Sequence, residues 1–353
     1  MNAPEKLPED DPQATASAAN LRYVSDENPG IRRKRWGRGV TYLNPDGEHI
    51  KDPEQRERFE TLAIPPAWQE VWICPDQRGH LQATGRDERG RKQYIYHPRW
   101  EETRQEKKFD RMITLGKALP ALREELDHDL RRHGTPRERV VAVVVRLLQE
   151  TLIRVGNTQY TRSNGSFGLT TLRNRHVELS PTKISFEFRG KSGKMQRVDV
   201  SDPRAVRVLR HCQALPGQEL FQYVDEDGGR HTVESTDVNE YVRAATGENF
   251  TAKDFRTWGG TVRSVRILHE LGCAADENER LEKIRDLFER VSAELGNTPA
   301  VCREYYVHPH VVDAFLAASF FELWQRAPVV EDSWLDREEQ ITLFLLQQHS
   351  GEG

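Results

Sequence analysis

The segment RERVVAVVVRLLQETLIRVGN, residues 137–157, constrains the fold more than any other stretch of this chain. Its apolar residues recur at helical spacing and cover nearly the whole circumference of the helix. A helix that is apolar on all sides is buried, either inside a large domain or in a membrane. Its longest apolar run, residues 140–145, is far too short to cross a bilayer. The segment therefore predicts a buried helix within a soluble, globular domain.

Other helical patterns surround this segment along the chain. Apolar residues at helical spacing fill residues 99–131, most of 202–290, and 310–326. Between them, residues 183–200 alternate apolar and polar side chains on both sides of a GKSG turn, which predicts a β-hairpin. We expect a mostly α-helical domain over residues 101–326 that includes one β-hairpin.

The part of the chain before residue 100 has a different pattern. Short segments rich in β-branched and aromatic residues are separated by Gly, Pro and Asp, as expected for short strands: VTYL (40–43), VWIC (71–74), HLQATG (80–85) and KQYIYH (92–97). A chain of 353 residues is long for a single core. The predicted fold class is therefore α+β, with a small β-rich N-terminal domain over residues 29–100 and a larger helical domain after it.

Both ends of the chain are acidic, and this hides the charge of the middle. Residues 1–28, rich in Pro, Ala, Asp and Glu, are predicted to be disordered, and residues 327–353 to form an acidic, partly helical tail. The whole chain has a net charge of -4, but without the two tails it has 49 basic and 44 acidic residues, a net charge of +5. This balance permits a DNA partner, and it equally suits the solvated surface of an ordinary enzyme.

The cysteines give no sign of a metal site or of disulfide bonds. The four of them are scattered without the spacing of metal ligands, and the first thirty residues contain no apolar signal segment. We therefore expect reduced thiols in a cytoplasmic protein.

Four places combine reactive or anion-binding residue types. They are Arg154 before a Gly-Asn turn, Lys191 at the tip of the hairpin, Arg256 with Asp254 near a helix start, and the pair Tyr305 and Tyr306. Each has an ordinary structural explanation when it is taken alone. The GKSGK tip lacks the spacing GxxxxGK[ST] and lies in a hairpin, so it does not predict a phosphate loop or ATP binding.

The order of these residues favours metal-free phosphoryl transfer to a tyrosine. A phenol that attacks a phosphodiester builds negative charge on the non-bridging oxygens, and arginine side chains can donate to those oxygens in pairs. The departing oxygen is a poor leaving group unless it is protonated, and a lysine on a hairpin tip is a suitable general acid.

With these motifs the chain resembles the type IB DNA topoisomerases, specifically the compact poxviral and bacterial branch of the eukaryotic-type DNA topoisomerase I family. The resemblance covers roughly residues 30–326. The ordered motifs that carry it are PPAW (65–68), GRDERGRKQYIYH (85–97), LIRVGN (152–157), GSFGLTTLRNRHV (165–177), the FRGKSG hairpin, AKDFRTW (252–258) and LGNTPAVCREYY (295–306).

The resemblance implies a monomeric, nucleoid-associated enzyme whose two domains clamp duplex DNA. Such an enzyme nicks one strand through a 3'-phosphotyrosyl bond, permits rotation and religates, without ATP, cofactors or an active-site metal. It also implies roles for five residues: Tyr306 as nucleophile, Arg154 and Arg256 as phosphate ligands, Lys191 as general acid, and Asn297 where many relatives have a histidine. Asn297 can donate a hydrogen bond, but it cannot titrate near neutral pH.

The resemblance further implies a set of DNA contacts. These residues are Lys253 beside the phosphate, Gln93, Tyr94 and Tyr96 on a predicted strand, and Arg86, Arg91 and Lys92 around it. The alternation of the strand predicts that Tyr94 and Tyr96 lie on one face, with Gln93 and Ile95 on the other. His308 and His310 lie on the wrong side of the tyrosine for the motif, and we expect structural or surface roles for them.

Two other functions fit parts of this pattern. A tyrosine site-specific recombinase uses a similar set of Arg, Lys and Tyr, but it is expected to have a helical N-terminal domain and a histidine in the turn. A DNA-binding clamp without catalytic activity is the alternative from another class, and the competent residues at all four core positions disfavour it.

Overall fold

The computed structural model describes residues 11–37 and 39–350. The chain divides into two compact units, residues 1–108 and 109–353. The division falls within helix α3, Pro98–Leu130, eight residues beyond the boundary that the sequence predicts. The α+β fold class, with a β-rich first unit and a mostly helical second unit, is confirmed.

The first unit is built on a five-stranded antiparallel sheet. Its strands lie in the order β2-β1-β3-β4-β5. They are β1 Ile31–Trp36, β2 Gly39–Leu43, β3 Gln69–Ile73, β4 Leu81–Arg86 and β5 Lys92–Tyr96, with helix α2, Pro53–Thr61, between the second and the third. One face of the sheet packs on Phe59 of α2.

Strand β1 was not predicted, because its sequence IRRKRW looks like a simple basic run. Ile31 is the member of this run that packs in the core. Arg33 follows on the same face, and its guanidinium donates to the carbonyl oxygens of Ile64, Pro65 and Trp68 at 2.8–3.0 Å. These bonds satisfy a charged side chain at a position where an apolar residue would ordinarily mark a strand.

The prediction of disorder for residues 1–28 does not describe the part from residue 11 onwards. Helix α1, Pro12–Ala18, is capped by the side chain of Asp11. Ala16, Ala19 and Leu21 are buried with Trp100 in a small apolar cluster. The polar composition concealed these few apolar contacts, which offset the entropy lost on ordering the segment. Residues 1–10 lie outside the described part of the chain.

The second unit is formed mainly by helices around α4, Arg137–Thr151. The others are α3 from residue 109 onwards, α5 Thr158–Asn164, α6 Pro203–Ala214, α7 Ser235–Thr246, α8 Ala252–Leu271, α9 Glu277–Leu295, α10 Pro299–Tyr305, α11 Pro309–Leu316, α12 Phe320–Arg326 and α13 Arg337–Ser350. Ten residues of α4 are buried, as the all-round apolar pattern predicts. None of the described helices is long and apolar enough to span a membrane.

Two small sheets complete the second unit. The predicted hairpin is formed by β7, Lys183–Arg189, and β8, Met195–Ser201, and β6, Val177–Leu179, pairs with the outer side of β7. A further short hairpin, β9 Gln222–Val224 with β10 Arg230–Thr232, lies in a region for which only helices were predicted. Its three-residue strands are too short to show a period.

The C-terminal segment is part of the core of the second unit. Residues 327–353 were predicted as an acidic, partly helical tail, and the segment does form helix α13, but Ile341, Leu345 and Leu346 of this helix are fully or almost fully buried in the main apolar cluster. The acidic side chains at the start of this segment dominate its composition, whereas the apolar face of α13 determines where it packs. Residues 351–353 lie outside the described part.

Candidate active site

Arg154 lies in a short connection just after α4. The helix ends at Thr151, and Leu152 caps it in the left-handed conformation, with φ 52°. Such a φ is uncommon for a residue with a side chain and turns the chain sharply out of the helix. The sequence placed Arg154 at the helix end, but it follows that end by three residues. Its carbonyl oxygen accepts a 2.8 Å bond from the amide of Leu169.

The GSFG segment joins the Arg154 connection to the hairpin. Gly168 lies directly against the backbone of Gly156 and Arg154, and a side chain at Gly168 would collide with both. One residue earlier, the amide of Phe167 donates a 2.8 Å bond to the carbonyl oxygen of Arg189 at the end of β7. Residues 165–168 therefore link the backbone around Arg154 to the hairpin that carries Lys191.

Arg256 lies in the first turns of α8, which starts at a capping box formed by Thr251 and Asp254. Arg256 is only 5% exposed. Its guanidinium donates to the carbonyl oxygen of Leu152 and, at 2.9 Å, to that of Leu295. Its buried Nε has no hydrogen-bond partner among the described residues. These bonds tie α8 to the start of the Arg154 connection and to the end of α9.

The charge of Arg256 is held in an unfavourable environment. Burial lowers the pKa of its guanidinium, and the nearby charge of Arg154 lowers this pKa further. Contact with the Tyr306 phenol acts in the opposite direction and raises the pKa of Arg256. Two neighbouring arginine charges, of which that of Arg256 is buried and that of Arg154 is half-buried, form an environment that a bound anion would stabilise.

The two tyrosines lie in different environments. Helix α10 ends at Tyr305, and Tyr306 forms its C-cap. Tyr305 is exposed, whereas Tyr306 is half-buried, and the centre of its ring lies 5.0 Å from the guanidinium carbon of Arg256. Burial raises the pKa of the nearby Cys302 thiol to about 11, which keeps this thiol protonated at neutral pH.

A glycine pair in α8 permits this close packing. A side chain at Gly260 would collide with the backbone carbonyl of Tyr306. A side chain at Gly259 would lie 2.6 Å from the terminal methyl groups of Leu152. The glycine pair is visible in the sequence, but the sequence does not show which residues pack against it, because a glycine inside a helix does not reveal its neighbours.

Asn297 contacts Arg154 directly. Helix α9 ends at Leu295, and its C-cap Gly296, with φ 60°, turns the chain toward Asn297. Nη2 of Arg154 donates a 2.6 Å hydrogen bond to Oδ1 of Asn297. The buried Nδ2 of the same amide has no hydrogen-bond partner among the described residues. Asn297 thus uses its acceptor within the protein and retains its donor.

Lys191 occupies an exposed turn at the tip of the hairpin. A residue that flanks this tip, Gln196, packs against Gly296, the residue before Asn297. A side chain at Gly190 would lie 2.9 Å from Gln196, and one at Gly296 would lie 2.8 Å from the amide of the same Gln196. Gln196 therefore lies between the residues next to Lys191 and Asn297. Sequence reasoning missed Gln196, since nothing in the strand pattern distinguishes it.

Two further polar residues near this site, Lys253 and His308, lie in different environments. Lys253 is exposed in the first turn of α8, three residues before Arg256. His308 is buried and caps α11 by accepting a hydrogen bond from the amide of His310. Its own backbone amide donates to Thr261 at 3.1 Å, so His308 has a structural position.

In the first unit, the basic side chains of the predicted DNA-binding strand are each paired with a carboxylate. The pairs are Arg86 with Glu70 at 2.8 Å, Arg91 with Asp87 at 2.6 Å, and Lys92 with Asp26 at 2.6 Å. Gln93 also donates to Asp87 at 3.0 Å. Hydrogen bonds from Lys92 and Thr84 keep the pKa of Asp26 below its usual range, against the effect of burial.

Tyr94 and Tyr96 lie on one face of β5, as the alternation predicts. Their rings stack with centroids 6.0 Å apart, and Ile95 packs on the opposite side against the core. Tyr94 is 48% exposed and has Nζ of Lys92 above its ring, whereas Tyr96 packs against buried residues including Trp100. Of the two, Tyr94 presents the more accessible aromatic surface.

Comparison with known proteins agrees with this arrangement of arginines, lysine and tyrosine. Residues 97–318 match the profile of the eukaryotic DNA topoisomerase I catalytic core, and residues 39–87 match that of the bacterial DNA topoisomerase IB N-terminal domain. The first match spans well over half of the chain and contains the whole candidate site, so the chain is an enzyme of the DNA topoisomerase I class. Within that class it belongs to the type IB DNA topoisomerase family, whose members act on DNA.

Individual relatives support the same assignment. The chain is 31% identical to DNA topoisomerase 1B of Acanthamoeba polyphaga mimivirus over 81% of this chain and 87% of the relative. It is 26% identical to DNA topoisomerase 1B of vaccinia virus over 48% of each chain. A solved structure of the XerH site-specific recombinase covers 58% of this chain and 53% of its own at 14% identity and a TM-score of 0.34, a likeness that adds nothing to the assignment.

Proposed function

We propose that this topoisomerase relaxes positive and negative supercoils by cutting one DNA strand through a covalent bond to Tyr306. The observation that carries the proposal is the set of direct contacts among Arg154, Arg256, Asn297 and Tyr306. These four residues come from three segments of the chain, yet each touches or electrostatically influences another member of the set.

In the proposed cleavage step, the phenol oxygen of Tyr306 attacks the phosphorus of a backbone phosphodiester. The new bond joins that oxygen to phosphorus, and the bond from phosphorus to the 5'-oxygen breaks. The phenol proton leaves to water, and Lys191 donates a proton to the departing 5'-oxygen. Religation is the reverse reaction, in which the free 5'-hydroxyl displaces the phenol oxygen and returns its proton to the lysine.

The two arginines and Asn297 would stabilise the negative charge of the transition state. Fixed donors in a buried site are more effective than water, because they need no reorganisation when the charge develops. Within the described part of the chain, Nε of Arg256 and Nδ2 of Asn297 have no hydrogen-bond partner. An incoming phosphate would supply the acceptors that these two buried donors lack. This set supplies positive charge without a bound metal, and the covalent bond retains the energy that religation needs without ATP.

We also propose that the two units together clamp duplex DNA as a monomer. Lys253, Arg86, Arg91 and Lys92 would contact phosphates, while Gln93, Tyr94 and Tyr96 would contact the groove and the adjoining backbone. The exposure of Tyr94 and of the basic residues beside it supports these contacts. A cytoplasmic enzyme bound to the nucleoid would meet its DNA substrate there.

A direct experiment is relaxation of plasmid DNA in EDTA without ATP. We expect the protein to relax negatively and positively supercoiled plasmids alike, and we expect Tyr306→Phe to leave both unchanged. If the wild-type protein leaves both plasmids supercoiled, the proposed activity is wrong. If products with exchanged strands form only at one particular sequence, the alternative of a site-specific recombinase is favoured.

A further inference from the structure

The side chain of Glu339 in α13 connects three other helices of the second unit. Its carboxylate accepts from both terminal nitrogens of Arg123 in α3, at 2.5 and 2.7 Å. One of its oxygens also accepts a 3.1 Å bond from the indole of Trp258 in α8. The Nε of Arg123 in turn donates to Gln149 in α4 at 3.1 Å. We call Arg123, Gln149, Trp258 and Glu339 the Glu339 cluster.

The Glu339 cluster contacts α8, which holds Arg256, and α4, which ends three residues before Arg154. Trp258 follows Arg256 by two residues in α8. Gln149 lies in the last turn of α4, three residues before Leu152, and the carbonyl of Leu152 accepts from Arg256. The Glu339 cluster and the bond from Arg256 to Leu152 therefore connect α8 to the C-terminal end of α4 at two neighbouring points. A shift of α8 against α4 would disturb both.

The position of Trp258 allows little movement. The indole is 3% exposed, and a side chain added at Gly116 of α3 would lie 2.6 Å from its ring. Glu339 itself is 5% exposed, and its amide and carboxylate also bond reciprocally with Asp336 at the start of α13. Because the planar carboxylate accepts from two arginine nitrogens and one indole nitrogen, it fixes the orientation of the Arg123 and Trp258 side chains as well as their distance from Glu339.

We propose that Glu339 is a positioning residue for strand cleavage, although it touches neither the DNA nor Tyr306. Through Trp258 and through Arg123 with Gln149, it sets the distance between α8 and α4, and so the placement of Arg256 relative to Arg154. Glu339 lies beyond residue 318, where the match to the topoisomerase catalytic core ends. The C-terminal helix α13 is thus a functional part of the catalytic unit. This proposal rests on the proposed cleavage chemistry.

A purely structural ion pair would have a different consequence. Loss of a buried charge partner lowers stability, and it reduces the fraction of molecules that are folded and active. It leaves the cleavage rate of the folded molecules unchanged. A positioning residue alters the rate constant of the folded enzyme, because small displacements of catalytic groups reduce the rate by about 10- to 100-fold. Rate and yield can be separated in one experiment.

The experiment measures the rate at which the covalent adduct forms on a DNA substrate whose cut strand cannot be religated. DNA is in excess, so each protein molecule reacts once. The variants are Glu339→Ala, Glu339→Gln and Trp258→Phe, with Glu338→Ala as the control that removes the same charge one residue earlier. We expect Glu339→Ala to lower the cleavage rate constant about 10- to 100-fold. Glu339→Gln, which keeps an oxygen for the indole, should recover part of that rate, and the control should cleave normally.

The adduct yield and the affinity for DNA complete the test. Both should stay near the wild-type values in folded Glu339→Ala, since no DNA-contacting group is removed. If Glu339→Ala does not fold, Trp258→Phe decides, because it removes the indole donor while Glu339 keeps Arg123 as its charge partner, and it should still slow cleavage. Normal rate constants with a reduced yield would overturn the positioning role. Failure of the wild-type protein to form any adduct would instead contradict the proposed function.

Discussion

Arg154 donates a 2.6 Å hydrogen bond from Nη2 to Oδ1 of Asn297, and this bond orients the asparagine amide. The acceptor of the amide faces the arginine, so the donor Nδ2 is directed elsewhere and has no partner among the described residues. An asparagine in this state can donate to a phosphate oxygen at any pH, since it does not titrate. A histidine at the same position would donate from both nitrogens only when protonated.

The orientation of Asn297 predicts a large effect from a nearly isosteric change. Asn297→Asp retains an oxygen for Arg154 but replaces the donor with a negative charge. We expect the cleavage rate constant to fall by about 100- to 1000-fold, the effect of losing one donor to a developing oxyanion. Single-turnover cleavage measures this rate, with Asn297→Ala as the comparison without added charge. Equal rates for Asn297→Asp and the wild type would contradict the donor role.

The predicted role of Lys191 can be tested through the leaving group. Lys191→Ala should slow cleavage of ordinary DNA by about 100- to 10,000-fold, the range of general acid catalysis. A substrate with sulfur in place of the bridging 5'-oxygen leaves as a thiolate and does not need the proton. We therefore expect this substrate to restore most of the rate to Lys191→Ala. Arg154→Ala serves as the control, because its defect should persist with sulfur.

The glycine pair of α8 predicts unequal effects of two neighbouring substitutions. Gly260→Ala places a methyl group against the backbone carbonyl of Tyr306, which cannot move without displacing the tyrosine. We expect a loss of about 1–3 kcal/mol in the free energy of unfolding, together with slower cleavage. Gly259→Ala meets only the end of the Leu152 side chain and should cost less. Denaturant unfolding and adduct formation measure the two effects, and the reverse order would be inconsistent with this packing.

The pairing of Lys92 with Asp26 predicts that the N-terminal segment restrains DNA binding. Asp26→Asn should release Lys92 for a phosphate and strengthen binding about two- to five-fold at low salt, the range expected for an exposed ion pair. Because Asp26 competes with the phosphate for Lys92 in the wild type, the slope of log affinity against log salt should steepen by up to about 0.9, the full contribution of one phosphate contact. Binding is measured in the Tyr306→Phe background to prevent cleavage.

Two further variants make the Asp26 prediction specific. Asp46→Asn, in an exposed turn of the same unit, removes the same charge and should change affinity less. In a Lys92→Ala background, Asp26→Asn should give no gain. A gain that persists without Lys92 would mean that Asp26 acts only through the overall charge of the unit.

Much of the fold was predictable because its signals are local. The buried helix α4 follows from an apolar pattern on all sides, and the β7–β8 hairpin follows from alternation around a glycine turn. Strand β1 and the packing of α13 were not predicted, since both depend on contacts with residues distant in sequence. Arg33 can lie on the core side of its sheet because three carbonyl oxygens from the segment before β3 accept hydrogen bonds from its guanidinium.

The same distinction applies to the candidate site. The order of motifs pointed to Arg154, Arg256, Asn297 and Tyr306, and in the structure Arg154 contacts Asn297 and Arg256 contacts Tyr306. The order of motifs did not indicate Gln196, which lies between Gly190 and Gly296, or Glu339, which lies far beyond Tyr306 in the sequence. These residues act through the packing of neighbouring segments, which a linear pattern does not record.

The asymmetry between Tyr305 and Tyr306 provides the most direct test of the whole account. The protein is incubated with DNA that traps the covalent intermediate, digested, and the adduct-bearing residue is identified by mass spectrometry. We predict that the nucleotide is attached to Tyr306, which lies against Arg256, and that Tyr305→Phe still forms the adduct. Attachment to Tyr305, or loss of the adduct in Tyr305→Phe but not in Tyr306→Phe, would contradict the account.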